Sequence, residues 1–86
     1  MQFEGAVIRE QGQTFAVVVV RRSVLDQTTS ANSAVRSFSP VFPGMPVILM
    51  GQDSNGRPTY YGRRDIVNFL SGISPSRIPW RRYTLN

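Results

Sequence analysis

The segment QTFAVVVV, residues 13–20, restricts the fold more than any other part of the chain. Valine is β-branched and stiff about χ1, which favours extended backbone. Successive side chains of a strand point to opposite faces, so Phe15, Val17 and Val19 lie on one side and Ala16, Val18 and Val20 on the other. Neither side is polar. A strand apolar on both faces belongs in the middle of a sheet, with cover above and below it. FEGAVIRE, residues 3–10, precedes it as a second strand, and Gln11-Gly12 reads as a two-residue hairpin turn in which Gly12 supplies the positive φ.

Downstream, SVLDQTTSANSAVRSF (residues 23–38) reads as a helix of low propensity, because Ser and Thr compete for backbone hydrogen bonds. Val24, Leu25, Thr28, Ala31, Val35 and Phe38 form its stripe, and Ser23 and Asp26 have the spacing of a capping box. SPVFPGMP then interrupts regular structure with three prolines. PVILM is a further buried strand. Asn55-Gly56 is the strongest short hairpin signal, and Pro58 opens a short return strand, TYY, at a sheet edge. Alternation sends one of Tyr60 and Tyr61 to the core and the other to solvent. Gly62 turns the chain from strand to helix. Ile66, Val67, Phe69, Leu70 and Ile73 then mark one face of an amphipathic helix, with Asp65 in its first turn and Gly72 and Pro75 at its end.

The expected fold is therefore α+β: a mostly antiparallel four-stranded sheet with two helices, in ββαββα order. It is one small domain spanning residues 1–86, with residues 74–86 as a C-terminal tail or lid. VRRSVL (20–25) and GRRDIV (62–67) form a faint internal repeat, each at the exit of a hairpin and the entry of a helix. From Pro46 to Leu70 the chain also resembles the second half of a thioredoxin-like fold, through Met45-Pro46 before an apolar strand, a hairpin and a closing helix. The resemblance implies a cis proline. Thiol–disulfide activity does not carry over, because the chain has no cysteine.

Composition narrows the chemistry. With no cysteine, histidine or lysine, the chain lacks thiolates, the commonest general base and any Schiff-base nucleophile. The five carboxylates, Glu4, Glu10, Asp26, Asp53 and Asp65, fall in no metal-ligand spacing, and the serines have no histidine or lysine to activate them. No catalytic site, metal or cofactor is expected. All ten basic residues are arginine, and the net charge of +5 favours acidic partners. Met1-Gln2-Phe3-Glu4 lacks the charged n-region and apolar run of a signal peptide, and FAVVVV is too short to span a bilayer, so the expected location is cytoplasmic, with no membrane partner.

Two clusters are candidate sites. Arg21-Arg22 and Arg63-Arg64 both sit at helix starts, where a cation opposes the helix dipole. Guanidinium forks beside free backbone N–H groups suit anion or partner binding. Alternatively their stems cover apolar surface, or they pair with Asp26 and Asp65. The tail RIPWRRYTLN interleaves arginines with aromatics, so Trp80, Arg81, Arg82 and Tyr83 are candidates for nucleic-acid or partner contact. The competing reading is packing, with Ile78 and Trp80 covering the open face of the sheet. If both helices covered one face, the other would need the tail or a second copy, which points to a homodimer. The functional expectation is a small non-catalytic interaction module with a protein partner or itself; a nucleic-acid-binding module using the arginine pairs and the tail is the alternative.

Overall fold

The computed structural model describes residues 1–10 and 12–85. Five strands, β1 (Gln2–Glu10), β2 (Gln13–Val19), β3 (Val47–Gln52), β4 (Pro58–Tyr61) and β5 (Arg81–Thr84), form one sheet in the order β4-β3-β2-β1-β5. Two helices, α1 (Thr28–Phe38) and α2 (Arg64–Ser71), follow β2 and β4, and short 3-10 helices occupy Arg22–Asp26, Ser39–Val41 and Pro75–Arg77. No helix among the described residues is long and apolar enough to cross a membrane.

The sheet is mixed and five-stranded, which corrects the four-stranded, mostly antiparallel ββαββα expectation in two places. β2 and β3 are parallel, because α1 carries the chain back across the sheet between them. Their unbroken apolar runs, VILM and FAVVV, are typical of parallel strands covered on both faces. The tail supplies the fifth strand: β5 pairs antiparallel with β1 from Gln2↔Thr84 to Gly5↔Arg81. RRYT shows little alternation, so only the pairing makes it a strand. The Gln11 half of the first turn lies outside the described residues; Gly12 has φ 76° as expected.

The helices cover opposite faces. On the α1 face Phe3, Ala16, Val18, Ala31, Phe38 and Leu49 are buried together. On the α2 face Phe15, Val17, Ile48, Ile66, Leu70 and Ile78 are buried. Val17, Val18, Ile48 and Leu49 at the sheet centre are 0% exposed. The arrangement with both helices on one face, which motivated a homodimer, is not found.

The 23–38 segment is two helices rather than one. Gln27 is extended (φ −132°, ψ 140°) and separates the 3-10 turn from α1. The capping box at Ser23 does not form; instead the Ser30 hydroxyl donates to the Val24 carbonyl at 2.6 Å and ties the two pieces together. The 3-10 turn fits because Gly51 has no side chain: a Cβ there would stand 3.1 Å from both the Arg22 Cα and the Leu25 Cδ1. Tyr60 and Tyr61 are both half-buried, one on each face, where one was expected to be exposed. Tyr61 keeps its hydroxyl satisfied by donating to Asn32 Oδ1 at 2.6 Å. The Met45–Pro46 bond is trans, and α2 leads on to β5 at the far edge of the sheet, so the thioredoxin-like pattern stops at the order of elements.

Candidate binding surfaces

The two arginine pairs are not brought together. Arg21 and Arg22 follow the carboxyl end of β2, whereas Arg63 lies at its start, within reach of Gln13. With the Gln13 amide oxygen turned toward it, the Arg63 guanidinium donates at 2.8 and 3.0 Å. Six strand residues separate the pairs, roughly 20 Å at the rise of an extended chain. One arginine of each pair is committed to a carboxylate: Arg22 Nη1 lies 2.9 Å from Asp26 Oδ1, and Arg63 holds both oxygens of Asp65 at 3.2 and 2.7 Å. The bond from Arg63 holds the exposed Asp65 carboxyl below the usual carboxylate range, helped by the Ile66 amide at the start of α2. The same pairing raises the Arg63 guanidinium. A carboxylate of the chain itself thus fills the first turn of α2 in place of an external anion. Arg21 and Arg64 are exposed.

The tail divides by face. Trp80 packs half-buried beside the α2-face core, and its indole N–H donates to the Pro75 carbonyl at 3.0 Å. Tyr83 lies on the α1 face, stacked on Phe3 with ring centroids 5.5 Å apart and edge-on to Phe42 at 5.0 Å. Arg81 and Arg82 are exposed between them. The aromatic residues are occupied by packing, and the arginines, Arg77 included, are what the tail offers to solvent. On the α2 face the Tyr60 hydroxyl is buried without a hydrogen-bond partner among the described residues, and burial pushes its pKa up. Among the described residues no group of three or more His, Cys, Asp or Glu converges as a metal site would require.

The feature not anticipated from sequence is the open half of β1. β5 covers only Gln2–Gly5, and Ala6–Glu10 has a neighbour, β2, on one side alone. Pro79 ends the β5 ladder, since it has no N–H to offer β1 where Val7 would be its partner. Backbone geometry decides which groups face outward. Ala16 N–H bonds the Pro46 carbonyl, so Ala16 turns its backbone toward β3 and away from its β1 partner Val7. In an antiparallel ladder such pairs alternate with bonded ones. Ala6, Ile8 and Glu10 therefore bond β2, while Val7 and Arg9 aim their N–H and C=O groups out of the sheet edge. Val7 is 41% exposed, unusual for a large apolar side chain in this molecule. Beside the edge runs a groove of about 500 Å³, lined by apolar Ile8, Phe69, Ile73 and Ile78 and by three charged residues, Arg9, Glu10 and Arg77.

No family model, curated protein or solved structure matches the chain.

Proposed function

We propose that the chain is a non-catalytic protein-interaction module that takes up an extended segment of a partner along the open half of β1. The observation that carries this reading is the outward backbone of Val7 and Arg9 beside an apolar groove. An added strand gains main-chain hydrogen bonds from such an edge, and neighbouring pockets read every second side chain. Here the edge offers two donors and two acceptors, and the groove offers an apolar floor with two guanidinium groups and the Glu10 carboxylate around it. The matching partner segment is apolar at alternate positions and acidic overall; the +5 charge of the chain steers such a segment toward it. A second copy is a poorer occupant, because each copy brings the same positive charge. For the nucleic-acid alternative, exposed Arg81 and Arg82 supply phosphate contacts, but the packed Trp80 is not a free stacking surface.

The test uses Val7→Pro. Proline removes an N–H that points away from β2, a position where edge strands tolerate it. The wild type, Val7→Pro and Val7→Thr are immobilised and exposed to lysate with and without nuclease treatment. Proteins held by the wild type and Val7→Thr but released by Val7→Pro are the expected result. Equal capture by Val7→Pro overturns strand addition, and capture abolished by nuclease replaces the protein partner with nucleic acid.

A further inference from the structure

At the other end of β1, on the α1 face, the molecule carries a second and larger hollow of about 740 Å³. Its origin is a divergence within the sheet. Pairing between β1 and β2 ends at Gly5↔Val18; beyond it β1 follows β5 while β2 follows β3. Over the gap, α1 presents Ala34 and Ser37, too small to fill the space. Phe3, Val20, Val24, Phe38 and Leu85 supply apolar walls. The position is the carboxyl ends of β2 and β5, which run parallel, and open sheets gather ligands outside the carboxyl ends of their strands. The volume falls within the range of small-molecule sites.

The polar groups define the ligand further. Arg21 stands at the rim, exposed and without an ion-pair partner among the described residues. Among the described residues no carboxylate lines the hollow. The nearest in sequence, Glu4, alternates to the opposite face of β1, where it lines a different cleft with Trp80. A cation at the mouth of an apolar hollow, with no carboxylate beside it among the described residues, complements a molecule with a hydrocarbon body and one anionic end.

We infer that this hollow binds a monocarboxylate with a medium-length aliphatic body, the chain lying between α1 and the sheet and the carboxylate meeting Arg21. The site is independent of the β1 edge, since Val7 and Arg9 lie toward the other end of that strand and line no part of it.

Decanoate below its micelle concentration is the probe, followed by heteronuclear NMR of the full chain, with decanol and decyltrimethylammonium as controls. Saturable shifts confined to Phe3, Val20, Arg21, Val24, Ala34 and Phe38 are expected. Arg21→Gln, an exposed substitution that leaves the core intact, should weaken decanoate by about two- to fivefold, the size of an exposed charge pair, and leave decanol unchanged. Val24→Trp, which fills the hollow, should abolish the shifts. The inference is overturned by shifts spread evenly over the protein, by equal affinity for decanoate and the cationic control, or by undiminished binding to Arg21→Gln.

Discussion

Replacing Trp80 with alanine tests whether the tail is part of the folded core. The indole lies against the α2-face cluster and donates to the Pro75 carbonyl at 3.0 Å. A large aromatic side chain buries about 150–250 Å² when fully enclosed. Trp80 is half-buried, so the lower figure applies, and about 25 cal/mol per Å² gives an upper bound near 4 kcal/mol. Residual burial in the unfolded chain lowers this to about 2–3 kcal/mol. In a domain of this size about 1 kcal/mol moves Tm by about 4–8 °C, so Trp80→Ala should lose about 8–24 °C. Trp80→Phe retains most of the apolar contact but not the N–H bond, and should lose about 1 kcal/mol. Thermal and urea denaturation followed by circular dichroism measure both, and the wild-type emission should be blue-shifted. An unchanged Tm in Trp80→Ala together with emission at the wavelength of a solvated indole would refute the packing and return Trp80 to the surface.

Gly62 should not tolerate alanine: its φ is 152°, and a Cβ would overlap the Ile48 Cδ1 at the centre of the α2 face. The expected loss is more than about 2 kcal/mol by chemical denaturation. Ile8→Pro should destabilise by about 3 kcal/mol because it removes a bond to β2, whereas Val7→Pro should change stability by less than about 1 kcal/mol; comparison of their urea midpoints checks the assigned facing of the β1 backbone. The Arg63–Asp65 pair predicts a small acid dependence. Because the folded Asp65 pKa lies below its ordinary 3.8, the stability it contributes is complete above that value and is lost as pH falls through the folded pKa. Asp65→Asn should flatten that part of the acid limb and leave stability at neutral pH nearly unchanged, since the pair is exposed.

The central strands and α2 were legible because their apolar patterns are regular, whereas α1 was legible only as part of a weaker helical stretch over residues 23–38. FAVVVV required cover on both faces, and the structure provides α1 on one and α2 on the other. Ile66 and Leu70 announced the buried stripe of α2. Strand direction was not legible, since the same apolar run serves a parallel or an antiparallel neighbour. β5 was hidden for a different reason: in RRYT only Tyr83 faces a core, and a strand four residues long is defined by its partner rather than by its own sequence. The split at Gln27 was also hidden, because it arises from the fit of Arg22 and Leu25 over Gly51, a contact between segments far apart in sequence. Of the candidate site residues, the arginine pairs were placed at helix starts with pairing to Asp26 and Asp65 as one open reading; the structure shows that pairing for Arg22 and Arg63, which sequence alone could not choose over anion binding. The open edge of β1 emerges only once β5 is known to stop at Arg81.

Residue-resolved amide hydrogen exchange of the free protein tests that edge most directly. Slow exchange is expected at Ala6 and Ile8, which bond β2, and fast exchange at Val7 and Arg9, whose N–H groups face outward without a partner among the described residues, with protection appearing at those two when a captured partner is added. Val7 and Arg9 amides as protected as Ile8 in the free monomer would contradict it, because the edge would then already be paired and unable to receive another strand.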